Sequence, residues 1–185
     1  PMLLPQRKSP RLQGYDYSSS GGYFVTICTY QRQCIFGEIV DGEMILNDWG
    51  KVIHDEWRRT ATLRAYVELD AFVVMPNHVH GIIMIIDDDN ENAMQGRDMM
   101  HHVPTNPPKR EFGKPIAKSL SSIVGTFKAS VTRQINRTES PPDHPIWQSR
   151  YHDHIIRNLP DLNRIREYVQ TNPARWEADT FYESP

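Results

Sequence analysis

"VVMPNHVHGIIMI", residues 73–85, is the most apolar run of the chain, yet it carries His78 and His80 in its interior. Met75-Pro76-Asn77 breaks the run, because proline has no amide to donate and biases its predecessor toward extended backbone. On either side, "AYVELDAFVVM" (65–75) and "HVHGIIMII" (78–86) have the length and β-branched enrichment of strands. Joined by so short a turn, the two are expected to pair antiparallel at the centre of a sheet. Side chains two apart on a strand share a face, so His78 and His80 stand side by side while Val79 points away.

Outward from this pair, "GYFVTICTYQ" (22–31) reads as a first strand. In "CIFGEIVDGEMILN", Asp41-Gly42 between two short apolar segments predicts a two-residue hairpin. Asn47 can cap a helix whose Trp49, Val52, Ile53, Glu56 and Trp57 follow a 3.6-residue period through Arg59. "KPIAKSLSSIVGTFKASVTRQIN" predicts a long amphipathic helix with Ile116, Leu120, Ile123, Val124, Phe127 and Val131 on one face. "IWQSRYHDHIIR" (146–157) predicts a further strand, and Asn158 or Asp161 caps a last helix stopped by Pro173. With the hairpin set aside, the order is β-α-β-β-α-β plus a trailing helix. That order predicts an α+β fold of the ferredoxin-like, split β-α-β type: an antiparallel sheet, helices on one face and an additional C-terminal helix.

The 185 residues suffice for one domain with its own core. Residues 1–21, polar and ending "SSSG", are expected to form a mobile arm, and residues 22–176 the domain. A flexible insertion is expected at about 87–115 and a tail over 177–185. The adjacent His101 and His102 in the insertion would point apart on a strand and do not suit chelation. Cys28 and Cys34 have no framework spacing and read as reduced. With no apolar run long enough to span a bilayer and no secretory signal, the expectation is a cytoplasmic protein without a membrane partner. Net charge is −2, but Arg97, Lys109, Arg110, Lys114, Lys118, Lys128, Arg133 and Arg137 face only Asp98 and Glu111 within 97–137. Such a segment suits a polyanion groove or a solvated helix face.

Two same-face imidazoles can chelate a divalent ion, or each can be a core histidine satisfied by a backbone carbonyl. Histidine-triad enzymes extend the pattern to a third alternating His, where this chain has Ile82. Metallo-β-lactamase-type hydrolases follow the pair with Asp and His, where it has Gly81, Ile82 and Ile83. Single-strand DNA nickases use such a pair with a separate tyrosine. Tyr168 lies on the last helix with Asn172 one turn on, flanking the Leu162, Ile165, Val169 stripe. Packing for the tyrosine and a helix stop for "TNP" are the plain alternatives.

"MPNHVHGII", "SIVGTFKASVTRQIN", "IWQSRYHDHIIRN" and "REYVQTNPARW", in this order, resemble the REP-associated tyrosine transposases. These are HUH single-strand DNA endonucleases similar to insertion-sequence transposases of the IS two-hundred type. The resemblance covers roughly residues 22–176 without the insertion, and its family fold is the ferredoxin-like sheet. It implies that His78, His80 and Asn172 bind Mg²⁺ or Mn²⁺, with no nucleotide cofactor, and that Tyr168 is the nucleophile. The implied activity is hairpin-guided cleavage and rejoining of single-stranded DNA through a 5′-phosphotyrosine, by a monomer or homodimer acting at the nucleoid. DNA-contact candidates are Lys118, Lys128, Arg133, Trp147, Arg150, Tyr151 and Arg157, together with Arg7, Lys8 and Arg11 on the arm. For Trp147 core packing is the alternative, and for Lys128 cover of its helix face. A non-catalytic repeat-DNA-binding protein and a replication or mobilisation nickase are the other functional readings.

Overall fold

The computed structural model describes residues 15–86, 116–138 and 140–182. The insertion expected at 87–115, its His101-His102 pair, and Arg7, Lys8 and Arg11 lie outside the described residues. Strands β1 (Gly21–Cys28), β4 (Val67–Met75), β5 (His78–Ile85) and β6 (His152–Ile156) form one sheet in the order β4-β5-β1-β6, with every adjacent pair antiparallel. Strands β2 (Gly37–Val40) and β3 (Glu43–Leu46) make the separate hairpin. Asp41 and Gly42 turn it with φ of 52° and 78°, the two left-handed positions that such a turn requires. Helix α1 (Asp48–Thr62) links β1 to β4, and α2 (Leu120–Ile135) links β5 to β6. Each crossover skips one strand, which is the ferredoxin-like interleaving. Of the two strands expected at the centre, β5 is central, whereas β4 lies at the edge because β1 inserts on the other side of β5.

Alternation along the strands divides the molecule into two layers. Tyr23, Val25 and Ile27 of β1 and Val79, Ile83 and Ile85 of β5 pack with α1 and α2 in the main core. Ile82 of β5 and Ile156 of β6 face the other way, where α3 (Leu159–Thr171) covers them with Leu162, Ile165 and Val169. On β5, His78 and His80 share the parity of Ile82 and therefore the α3 side. The opposite face fits a large ring at Gly81, since a Cβ there would collide with the Trp57 indole of α1. Trp57 in turn stacks on Phe72 of β4, centroids 4.5 Å apart.

The caps explain where the helices begin. The Asn47 side chain accepts from the Gly50 amide at 3.0 Å, and the Asn158 side chain from the Asp161 amide at 2.9 Å. Helix α2 starts later than its apolar pattern suggests. Lys118 has φ of 61°, outside the helical region, and Ser119 then caps by accepting from the Ser122 amide. Strand β6 is shorter than the expected 146–157. Trp147 still bridges Thr29 antiparallel and the Gln148 amide donates to the Cys28 carbonyl at 3.0 Å. The Gln148 and Ser149 carbonyls, however, accept from the Lys128 ammonium of α2 at 2.6 and 3.5 Å, and the continuous ladder begins only at His152. The arm expected through residue 21 reaches the core sooner: Tyr15 and Tyr17 are buried and pack edge-on, centroids 5.1 Å apart. Cys28 and Cys34 are both free thiols. Among the described residues no helix is long and apolar enough to cross a membrane.

Candidate metal and tyrosine site

His78 and His80 are fully buried on β5, with Nε2 atoms 2.9 Å apart. Each ring is held through its other nitrogen. His78 Nδ1 lies 2.8 Å from Asn77 Oδ1, and His80 Nδ1 lies 2.8 Å from the Thr26 hydroxyl of β1, which is its cross-strand partner. Asn77 Nδ2 donates to the carbonyls of Arg32 and Phe181, so its oxygen is left to accept from His78. Phe24 stacks on His80 with centroids 5.3 Å apart. Burial pushes both imidazoles down from their usual range, His78 to about 3, which keeps them neutral and able to ligate.

Helix α3 brings Tyr168 over this pair. Its hydroxyl is 3.2 Å from His80 Nε2 and donates to Asp179 Oδ2 at 3.2 Å. Asn172, buried at the end of α3, donates through Nδ2 to the same carboxylate oxygen at 2.6 Å, while its own Oδ1 is buried without a hydrogen-bond partner. The chain comes back to the site because Pro173 opens a short 3₁₀ turn over Pro173–Ala178. That turn delivers Asp179, whose Oδ1 accepts from the Phe181 amide at 2.6 Å. Although burial opposes it, the His80 imidazole 4.0 Å away and hydrogen bonds from Asn172 and the Phe181 amide hold the Asp179 carboxyl far below the usual carboxylate range. Burial first, and the Asp179 charge second, push the Tyr168 phenol up to about 12.

His78, His80 and Asp179 offer ligand atoms that all lie within 4.8 Å of one another. The 2.9 Å between the imidazole nitrogens matches the ~3 Å edge of an octahedron with bonds of about 2.1 Å. The buried, unsatisfied Asn172 Oδ1 adds an oxygen on a side chain whose Nδ2 already contacts Asp179. The donor set fits a divalent cation.

The structure thus gathers His78, His80, Tyr168 and Asn172, and adds Asp179, Thr26 and Asn77. Asp179 falls beyond the domain boundary drawn at residue 176. It follows a proline that ends all helical periodicity, so nothing in the spacing marks it. Asn77 had a signal, since it stands directly before the pair in "MPNHVH". The expected DNA contacts divide. Trp147 and Tyr151 are buried, Trp147 against Phe36 and Phe127. Lys128 is half-buried on backbone carbonyls, and Lys118 lies over the Tyr66 ring at 5.2 Å. Arg133, Arg150 and Arg157 are exposed.

Fold and site together define a ferredoxin-like domain with a buried histidine pair, an adjacent carboxylate and a facing tyrosine. No protein-family model matches the chain. An uncharacterized Haemophilus influenzae protein is 38% identical over 179 residues, covering 97% of this chain and 94% of that protein. A second Haemophilus influenzae protein, named as a REP-associated tyrosine transposase, is 22% identical over 161 residues, 86% of this chain and 74% of its own. The solved structure of a REP-associated tyrosine transposase bound to a REP hairpin shares the fold. Its TM-score is 0.53 and its identity 19%, with 94% of this chain and 74% of that one covered. The chain belongs to the same family as the 38%-identical protein, and it is similar, at lower identity, to a REP-associated tyrosine transposase, the group its motifs resemble.

Proposed function

We propose that this protein is a transposase that cleaves and rejoins single-stranded DNA beside a hairpin, with Tyr168 as nucleophile. One observation carries the reading: a tyrosine hydroxyl 3.2 Å from a histidine whose Nε2 lies 2.9 Å from a second, beside a buried carboxylate. Pure DNA binding has no use for that set. The hairpin-bound relative supports the substrate class. His78, His80 and Asp179 would hold a divalent cation, with Asn172 Oδ1 able to join them. When bound, such an ion supplies positive charge to the non-bridging oxygens of the scissile phosphate.

The chain's own groups do the rest. Burial keeps His78 and His80 unprotonated, so neither repels a cation. Asp179 accepts the Tyr168 hydroxyl hydrogen and so aims the phenolic oxygen's free face at the space above His80. From there Tyr168 attacks phosphorus; the bond to the 3′ oxygen breaks, leaving a 5′-phosphotyrosyl ester and a 3′-hydroxyl. The ester retains the energy of the broken bond, so attack by a second 3′-hydroxyl reverses the step without a nucleotide cofactor. The phenol's raised pKa explains why charge near phosphorus is needed at neutral pH.

The test is incubation of a labelled single-stranded hairpin with protein and Mn²⁺, followed by denaturing electrophoresis. A protein-linked band is expected in the native protein and its loss in Tyr168→Phe, with hairpin affinity nearly unchanged. An adduct persisting in Tyr168→Phe, or none in the native protein across varied hairpins, refutes the reading.

A further inference from the structure

We propose that Asp70 and Arg166 form a positioning pair that locks the roll of α3 and thereby aims Tyr168; this rests on the tyrosine chemistry above. The pairing of β4 with β5 shifts between Leu69 and Phe72. Before the shift Val67 and Leu69 face the main core; after it Phe72 and Val74 do, so the parity of the strand has changed. Asp70 sits in that irregularity. Its Oδ1 accepts the Ala71 amide at 2.6 Å, which fixes the carboxylate at the sheet edge under α3.

Arg166 meets it with two nitrogens. Nε donates to Asp70 Oδ1 at 2.9 Å and Nη2 donates to Oδ2, a fork that fixes orientation as well as distance. The guanidinium is braced from its own helix by Asn163 Oδ1, which accepts from Nη1 at 3.2 Å.

The geometry of α3 makes this pair matter. The helix rests on the sheet through a single row of buried side chains, Leu162, Ile165 and Val169. A row one residue wide resists separation but not rotation about the helix axis. At about 100° per residue, Arg166 and Tyr168 project from opposite flanks of that row. Rolling α3 therefore lifts one flank as it lowers the other, and the Asp70–Arg166 fork sets the height of Tyr168 over His80. Partial exposure, 38% for the Arg166 side chain and 21% for Asp70, makes the pair a modest contributor to overall stability. Its effect is on aim.

Arg166→Lys keeps the charge but replaces the fork with a point, and Asp70→Asn keeps the shape but removes the charge. In single-turnover adduct formation with a hairpin oligonucleotide and saturating Mn²⁺, both variants should lose about five- to tenfold in rate. Hairpin affinity should stay within about twofold, and both proteins should remain folded at the assay temperature by circular dichroism. Native rates in both variants overturn the proposal, as does a rate loss matched by an equal loss of folded protein. A second readout needs no cleavage: 3-fluorotyrosine at position 168 should give a shifted or divided ¹⁹F resonance in Arg166→Lys. An unchanged resonance overturns the lock. A native protein that forms no adduct at all overturns the tyrosine reading instead, leaving the fluorine spectrum to decide the lock alone.

Discussion

Asp179→Asn separates a carboxylate that ligates from one that only closes the site. The substitution keeps one oxygen able to accept from Tyr168 and Asn172, as Oδ2 does, but replaces Oδ1 with an NH2 that cannot accept from the Phe181 amide, so the tail loses one of its three hydrogen bonds. What it removes is the single anion among the three grouped donors, leaving two neutral imidazoles. Loss of partners that merely orient ligands lowers metal affinity about 10–100-fold, and loss of an anionic donor should do at least as much. The Mn²⁺ dissociation constant should therefore rise at least about tenfold. Free Mn²⁺ is visible by electron paramagnetic resonance and disappears on binding, so a titration reads this directly. Adduct formation should fall at limiting Mn²⁺ and recover in part at saturation.

In the metal-free protein the same change removes the charge that helps raise the phenol. Tyr168 should then titrate below its present value of about 12, yet not at the ordinary value of 10.0, because burial is the larger cause and remains. Tyrosine absorbance, differenced against Asp179→Asn combined with Tyr168→Phe, isolates that one phenol. Phe181→Ala is the control for loosening of the tail, since the Phe181 ring packs tilted against His78, centroids 4.9 Å apart, but offers no ligand. Unchanged Mn²⁺ affinity in Asp179→Asn with faster cleavage would refute ligation and make Asp179 a cap over the tyrosine.

Gly81→Ala places a methyl group against the Trp57 indole, and because that ring is sandwiched between the sheet and Phe127 it has nowhere to go. Overpacking of about 1–3 kcal/mol should lower the thermal midpoint by roughly 2–10 °C, measured by calorimetry; an unchanged midpoint would mean that the indole yields freely. The Asp70–Arg166 pair should carry a pH signature. The Arg166 guanidinium holds the Asp70 carboxyl below its ordinary range, so its stabilisation is complete above the unfolded value near pH ~3.9 and fades as pH falls through the folded one. The stability difference between the native protein and Asp70→Asn, about 1 kcal/mol or less for so exposed a pair, should be present at pH 7 and vanish in acid. A difference persisting at pH 2 in denaturant titrations would contradict it.

What the sequence disclosed follows from periodicity. Strand alternation around Val79 placed His78 and His80 on one face, and helix spacing put Tyr168 and Asn172 one turn apart; both are local properties that survive folding unchanged. Asp41-Gly42 and Asn47 were legible for the same reason, since turns and caps are decided within a few residues. The edge position of β4 was not, because the insertion of β1 beside β5 is a long-range pairing with no local mark. Nor was the shortening of β6, where the Gln148 and Ser149 carbonyls meet an ammonium from a helix about twenty residues earlier in sequence. Asp179 was hidden most thoroughly: its place depends on how a 3₁₀ turn after Pro173 folds back over the sheet.

The pairing of the two imidazoles with different partners has a chemical consequence. Asn77 uses both its hydrogens on carbonyls, so its oxygen can only accept, and His78 must carry its proton on Nδ1 with a lone pair at Nε2. Were His80 held the same way, two lone pairs would confront each other at 2.9 Å in a site closed to water. His80 instead meets a hydroxyl, and a hydroxyl can either donate or accept. Without a cation, Thr26 donates to Nδ1, and the His80 proton sits on Nε2 between His78 and the Tyr168 oxygen. To hold a cation, His80 would carry its proton on Nδ1 with Thr26 accepting it, which would leave both Nε2 lone pairs free to ligate. A backbone carbonyl at that position would permit only the second state and would leave the metal-free site in electrostatic conflict. Thr26→Val should therefore weaken Mn²⁺ binding, because an acceptor for Nδ1–H is lost, while Thr26→Ser should preserve it. Equal Mn²⁺ affinities for the two variants would show that the hydroxyl does not govern the tautomer.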